Sequence, residues 1–275
     1  MTKNFDSEAA VNDSRITPCV ETLLGAYNTG TPIPPLTQTH PALGLEEAYA
    51  IQMAQVETWQ RGGRVLKGHK VGLTSAAIQK QLGVSEPDYG HLFADTFYMD
   101  SEPIRADTFI QPRIEPEIAF VLKKPLQGPG VTVAEAIAAV DFAVASLEII
   151  DSRIANWKIT LPDTIADNAS SGGVVLGSRP VRLDDLDLRL TGIVLYRNGQ
   201  IAGTGAGGAV MGSPINALTW LANTVGRLGV GLEAGSVILP GALTAAIDVR
   251  PGDTISANFA GLGSVTASFA PPSSN

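Results

Sequence analysis

Residues 113–122 read Arg113-Ile114-Glu115-Pro116-Glu117-Ile118-Ala119-Phe120-Val121-Leu122. Ile114, Ile118, Phe120 and Leu122 alternate with the residues between them, the pattern of a half-buried strand. Side chains of a strand switch faces at each step, so residues two apart share a face. Glu115 and Glu117 therefore point the same way, beside Ala119 and Val121. Further on, Leu147-Glu148-Ile149-Ile150-Asp151 sets a third carboxylate, Glu148, in an apolar run. Two like charges about 4 Å apart repel by about 4 kcal/mol at an effective dielectric near 20, and a buried charge without a partner costs more. A divalent cation held by carboxylate oxygens offsets both costs. Mg²⁺ and Mn²⁺, as hard ions, suit an all-oxygen set. Glu-x-Glu is also a common pattern, and on spacing alone the commoner outcome is glutamates that face water or pair with Lys and Arg.

Two further ionisable residues sit in unusual company. The run from Arg64 to Ser75 reads as a strand entering a turn, and Gly68, Val71, Gly72 and Leu73 leave little to keep Lys70 wet. Lys70 either snorkels to the surface or is desolvated, with a lowered pKa that suits proton exchange with a substrate. Glu86-Pro87-Asp88-Tyr89-Gly90 has the residue types of a turn, in which Asp88 is a turn former. His40, His69 and His91 show no metal-ligand spacing.

The 275-residue chain carries a net charge of −8 and no Lys/Arg-rich run, which argues against a nucleic-acid backbone or an anionic membrane surface as partner. The single cysteine, Cys19, excludes an intrachain disulfide and a Cys-rich zinc site. No signal-peptide pattern and no apolar run of membrane-spanning length is present, so a soluble cytoplasmic protein is the expectation. Helices are predicted over about 17–27, closed by Asn28-Thr29-Gly30, and over about 45–60, with Leu45, Tyr49, Met53 and Val56 at helical spacing and Gly62-Gly63 as terminator. Residues 1–12 and 271–275 read as loose ends, and 76–82 as a short helix. Thr132-Val133-Ala134-Glu135 is a capping box opening a helix with Val133, Ile137, Val140 and Val144 as its apolar stripe. Residues 161–173 read as a long polar loop. Asn198-Gly199 marks a hairpin. Ser213-Pro214 starts a helix with Ile215, Leu218, Ala222 and Val225 on one face. Short strands are expected over 237–239, 245–249, 254–259 and 265–269.

Several stretches, in order, resemble one family. They are Gly68-His69-Lys70-Val71-Gly72-Leu73-Thr74-Ser75, Glu86-Pro87-Asp88-Tyr89-Gly90, the 112–120 segment around Glu115 and Glu117, Gly128-Pro129-Gly130-Val131-Thr132, Glu148-Ile149-Ile150-Asp151-Ser152-Arg153-Ile154 and Thr164-Ile165-Ala166-Asp167-Asn168-Ala169-Ser170-Ser171. From about Leu45 onward the chain resembles the 2-hydroxypenta-2,4-dienoate (2-oxopent-4-enoate) hydratases of the fumarylacetoacetate hydrolase superfamily. The resemblance implies an α+β fold with a mixed, rolled β core. The pattern along the chain gives an N-terminal helical portion, 1–75, packed on a mostly β catalytic domain, 76–275. The resemblance implies a divalent metal, Mg²⁺ or Mn²⁺, on Glu115, Glu117 and Glu148. Lys70 and Asp88 would be catalytic, Lys70 shuttling protons and Asp88 activating water or positioning Lys70. Leu92, Asn168 and Ser170 would touch a small 2-hydroxydienoate or 2-oxo acid. It further implies a homo-oligomer, a pentamer or decamer.

Two alternatives stand beside this reading. One is the sister 4-oxalocrotonate (2-oxo-3-hexenedioate) decarboxylases, against which the spelling of 68–72 and of Trp157-Lys158-Ile159-Thr160-Leu161-Pro162-Asp163-Thr164 argues. The other is a non-catalytic β module with a structural cation, whose coordination the protein would be expected to fill.

Overall fold

The computed structural model describes residues 15–76, 79–80, 84 and 86–271. The N-terminal stretch 1–12 and the tail beyond Pro271 lie outside the described residues, as does much of the helix expected over 76–82.

The chain begins with helices α1 (Ile16–Thr29), α2 (Leu36–Thr39) and α3 (Leu45–Arg61). Gly30, with φ of 64°, closes α1 as a left-handed cap, which a residue without a side chain adopts at no steric cost. Strands β1 (Leu66–Gly72), β2 (Asp88–Phe93), β3 (Phe97–Met99), β4 (Pro103–Ile104) and β5 (Arg113–Leu122) follow. Helix α4 (Val133–Ala139) leads directly into β6 (Val140–Ile150). Helix α5 (Leu161–Ala166) precedes β7 (Ser171–Leu176), β8 (Gly192–Arg197) and β9 (Gln200–Ala206). Helix α6 (Pro214–Gly226) and strands β10 (Val237–Leu239), β11 (Ile247–Asp248), β12 (Thr254–Phe259) and β13 (Gly263–Phe269) complete the fold.

The main sheet has eight strands in the order β2-β1-β10-β5-β6-β7-β3, with β11 added beside β5. A second sheet runs β4-β13-β12-β8-β9. The expected alternation of β5 holds. Ile114, Ile118 and Phe120 join Leu147 and Ile149 of β6 in the central core, together with Ile215, Leu218, Ala222 and Val225 of α6 and the inner residues of the second sheet. The other face carries Glu115, Glu117 and Glu148, and beyond them a smaller apolar cluster around Ala119 and Val174. Strand β1 lies within the main sheet, paired with β2 and β10, so the helices end at Arg61 and a line drawn at 75/76 falls after the first strand of the sheet. No helix among the described residues is long and apolar enough to cross a membrane.

Three sequence expectations are corrected. Residues 87–90 do not form a turn: Asp88–Phe93 is a buried strand whose pairing with β1 overrides the local turn preference. The capping box opens α4 as expected, with the Glu135 N–H donating to Thr132 Oγ1 (3.2 Å) and the Thr132 N–H to Glu135 Oε2 (2.8 Å). The helix stops at Ala139, however, so Val140 and Val144 belong to β6, and Val133 and Ile137 are exposed while Ala136 and Ala139 are buried. Residues 161–173 are not one loop. Their first part is α5, opened by a capping box in which Asp163 Oδ2 accepts from the Thr160 N–H (2.9 Å) and hydroxyl (2.7 Å).

Helix α3 meets the sheet through two fully buried glutamines. Gln52 Nε2 donates to the Tyr89 carbonyl of β2 (2.9 Å) and to the Ile165 carbonyl (2.8 Å), and Gln55 Nε2 to the Ala166 carbonyl (2.7 Å). The last two acceptors end α5, where carbonyls lack partners within the helix. The helical portion therefore fixes α5 and the segment after it. Gln52→Met keeps the length of the side chain and strips two buried carbonyls of their donor. It is predicted to lower unfolding free energy by about 2 kcal/mol or more, read as a lower urea midpoint at unchanged slope; an unchanged midpoint contradicts the clamp.

Candidate active site

Glu115 of β5 and Glu148 of β6 are direct cross-strand partners, and Glu117 pairs with Ser146. Carboxylate oxygens of all three glutamates lie within 4.8 Å of one another. Glu117 and Glu148 are fully buried and Glu115 is half-buried. The commoner outcome of a Glu-x-Glu pattern, glutamates facing water, is therefore not what the fold delivers. Glu117 Oε2 accepts from the Gly241 N–H (2.7 Å). Gly241 has φ of +127°, and a Cβ there would collide with Thr74, so the backbone reaches the carboxylate because the residue is glycine. Glu117 Oε1 and both oxygens of Glu148 are buried without a hydrogen-bond donor; the Lys70 ammonium stands 3.3 Å from Glu148 Oε1. Unpartnered oxygens converging in a buried place are the donor set that a hard divalent cation needs. The residues fit a metal.

Lys70 is buried. Its Nζ donates to the Ala169 carbonyl (2.9 Å). Asp88 reaches the same place from β2, where Gly72 pairs with it. Gly72 leaves the room: a Cβ there would run into Asp88 Oδ1 and press on Lys70 Nζ. Asp88 Oδ2 accepts from the Thr164 hydroxyl (3.3 Å), which is 3.3 Å from Ser170 Oγ, and Asp88 Oδ1 has no donor. A cavity of about 400 Å³ opens here, with Lys70, Asp88, Glu115, Thr164 and Ser170 in its wall.

Two residues expected at the substrate are placed elsewhere. Leu92 shares the face of Asp88 but is packed into the apolar cluster with Ala119, Val174 and Leu239. Asn168 spends its side chain on β2, accepting from the His91 N–H (2.8 Å) and donating to the His91 carbonyl (3.0 Å). Neither lines the cavity. Thr164, Trp157 and Ile159 do line it and were not singled out in the sequence as site residues, although all three lie in stretches that carry the family resemblance.

Residues 168–170 form a left-handed turn, with φ of 51°, 49° and 52°, unusual for residues with side chains. Each such residue costs on the order of 1–3 kcal/mol and persists only where its surroundings impose it. They do so here. Arg153, 2% exposed, binds Asp167 through Nε (2.6 Å), the Asp167 carbonyl (3.0 Å) and the Ser171 carbonyl (3.0 Å). The Asp151 N–H donates to the Ser170 carbonyl (2.8 Å). The turn aims the Ala169 carbonyl at Lys70.

The charges follow from burial. Burial first, then the neighbouring Glu148, pushes Glu115 up to about 7. Glu117 is raised well above the usual carboxylate range by the same two causes, and Glu148 is raised by burial although Lys70 pulls the other way. Burial would lower Lys70, but Glu148, Asp88, Glu115 and Glu117 together outweigh it and the net direction is up. Desolvation does push this lysine down, as expected, but the surrounding carboxylates turn the net direction upward. Asp88 is raised by burial, against the pull of Lys70.

A model of the fumarylacetoacetate (FAA) hydrolase C-terminal family matches residues 63–270. The chain belongs to that family. It is 47% identical, over 90% of its length and 93% of the relative, to the 2-keto-4-pentenoate hydratase of Paraburkholderia xenovorans strain LB400. It is 44% identical to the 2-oxo-hept-4-ene-1,7-dioate hydratase of Escherichia coli, over 84% of this chain and 88% of the relative. Among solved structures it superposes on 4-oxalocrotonate decarboxylase from Pseudomonas putida G7, complexed with magnesium and adipate, with a TM-score of 0.90 at 37% identity. That match spans 93% of this chain and 97% of the other. The rolled α+β fold of the family is the fold described above.

Carboxylates raised in the metal-free fold hold protons that the unfolded chain releases, so their contribution to stability is present at low pH and is lost as pH rises through about 7. A cation competes with those protons. Mg²⁺ is therefore predicted to raise the melting temperature more at about pH 8 than at about pH 5.5, and Glu148→Gln to weaken that effect strongly. A pH-independent Mg²⁺ effect, or an unchanged titration in Glu148→Gln, contradicts the assignment of the three glutamates.

Proposed function

We propose that the protein is a metal-dependent hydro-lyase that adds water to 2-hydroxypenta-2,4-dienoate (2-oxopent-4-enoate) and forms 4-hydroxy-2-oxopentanoate, a step of aromatic meta-cleavage catabolism. One observation carries the reading: three carboxylates cluster within 4.8 Å of one another, and one of them, Glu115, lines a cavity with Lys70 and Asp88, in a chain 47% identical to a named 2-keto-4-pentenoate hydratase. A divalent ion on Glu115, Glu117 and Glu148, Mg²⁺ or Mn²⁺, would supply Lewis acidity toward the oxygens of a 2-oxo acid.

The chain's own groups handle the protons. The dienol must gain a proton at C5 and lose its hydroxyl proton; hydroxide then adds at C4 and a proton at C3. Lys70 donates one N–H to the Ala169 carbonyl and lies 3.3 Å from Glu148, which leaves N–H groups to give. We assign it the proton shuttle. Asp88 is held by Thr164 through one oxygen and keeps Oδ1 without a donor. We assign it the acceptance of a proton from the adding water, or the positioning of Lys70, whose charge acts on it. Ser170, through Thr164, steadies that carboxylate.

Decarboxylation of 2-oxo-3-hexenedioate is the second reading, favoured by the structural match to 4-oxalocrotonate decarboxylase; the higher identity to hydratases weighs against it. Assembly as a homo-oligomer, a pentamer or decamer, in the cytoplasm completes the proposal, and light scattering measures the subunit number.

The test adds purified protein and Mg²⁺ to enzymatically generated 2-hydroxypenta-2,4-dienoate, follows loss of the dienol absorbance and identifies the product, with CO₂ release from 2-oxo-3-hexenedioate run beside it. Lys70→Ala is expected to cut kcat by about 10²–10⁴ while Mg²⁺ still binds. Full turnover in that variant removes Lys70 from the mechanism.

A further inference from the structure

We propose that a second cavity, where β2 and β7 meet the N-terminal helices, is a binding site for a small neutral hydroxyarene, one benzene-sized ring carrying one or two hydroxyl groups. The proposal does not depend on which acid the first cavity takes.

The second cavity has a volume of about 180 Å³. An apolar cavity of about 150 Å³ holds one benzene molecule, so a single ring with a hydroxyl group fits this one. Its walls suit a ring. Tyr27 of α1, Trp59 of α3 and Phe93 of β2 meet edge to face in turn, with centroids 5.1 and 5.4 Å apart. Tyr98 and Phe109 form another part of the wall. Such rings gain from edge-to-face and offset contacts that a saturated ring of the same size does not return.

Four further lining residues, His91, Arg153, Asn168 and Ser171, are polar and buried. His91 is 4% exposed, and its Nδ1 has no hydrogen-bond partner. Burial lowers its pKa to about 4, so near neutral pH the imidazole is uncharged, with one donor and one acceptor nitrogen. Arg153 gives N–H groups to the Asp167 carboxylate and to the Asp167 and Ser171 carbonyls, and a guanidinium has more to give. A hydroxyl group both donates and accepts, which matches an imidazole beside a guanidinium.

An anion does not match. Arg64 is paired with Asp95 (2.8 Å) and Arg153 with Asp167 (2.6 Å), and Asp151 lines the cavity as a further carboxylate. A bound carboxylate would lose its water and find no unpaired cation in the wall.

The left-handed turn is the partition between the two cavities. Ala169 and Ser170 line the first, Asn168 and Ser171 the second. An occupant of the second cavity therefore bears on the segment whose Ala169 carbonyl holds Lys70, without entering the first.

The experiment titrates the Mg²⁺-loaded protein calorimetrically with phenol, catechol, benzoate and cyclohexanol. Phenol and catechol are expected to saturate one site per chain, with benzoate and cyclohexanol at least about tenfold weaker. Thr108 lines the second cavity from an exposed position, and Thr108→Trp, which fills that end, is expected to weaken phenol at least about tenfold through lost space. His91→Phe keeps a ring and removes its nitrogens; it is expected to cost phenol about tenfold and toluene nothing. At ten times its dissociation constant, phenol is expected to slow amide exchange over 167–172 by up to about tenfold, a readout that needs no variant. Absence of saturable phenol binding, benzoate bound as tightly as phenol, or phenol binding unchanged in both variants overturns the proposal, as does unchanged exchange over 167–172 in the phenol-saturated parent.

Discussion

Charge imbalance in a dry place organises this molecule. Glu115, Glu117, Glu148 and Asp88 all act on the charge of Lys70, which among the described residues is the one cation within ion-pair distance of them, 3.3 Å from Glu148. Fully ionised, such a group repels itself by several kcal/mol even at a generous effective dielectric, and its oxygens have few donors. Protons held on the glutamates relieve this at low pH. A divalent ion relieves it at neutral pH, and only the ion also leaves the site competent to bind an anionic substrate. The same carboxylates turn the direction of the Lys70 shift upward where burial alone would lower it.

The rest of the fold holds that arrangement in place. Antiparallel pairing of β5 with β6 sets Glu115 opposite Glu148, and the central core behind them prevents either strand from slipping, because a one-residue slip would turn the carboxylates into the apolar side. Lys70 is positioned from the opposite direction. The buried Arg153–Asp167 pair anchors the left-handed turn at 168–170, which presents the Ala169 carbonyl to Nζ. Gln52 and Gln55 of α3 tie the end of α5 to β2. The N-terminal helices thus belong to the support of the active site although none of their residues lines the cavity.

The parts legible in the sequence were those set by burial pattern or by a single local rule. Period-two alternation located β5 and put Glu115 with Glu117, the apolar stripe of α6 is the one observed, and Asn198-Gly199 turns a hairpin with both φ angles positive. Identifying three glutamates as one cluster needed the family resemblance, since Glu-x-Glu by itself is ambiguous. The illegible parts depend on long-range partners. Asp88 carries turn chemistry but is a strand residue because β1 pairs with it. Val133 and Ile137 look like a core stripe, yet the chain becomes a strand at Val140. The direction of the Lys70 shift is a sum over four carboxylates from three strands, which no local reading contains. Helix α5 was missed despite a signal, the Thr160–Asp163 capping box with proline in the first turn.

The most direct measurement is anomalous diffraction from crystals loaded with Mn²⁺. The account predicts one strong peak within coordination distance of carboxylate oxygens from Glu115, Glu117 and Glu148, with open positions facing the cavity. A peak elsewhere, or full saturation of the ion by protein ligands, would contradict it.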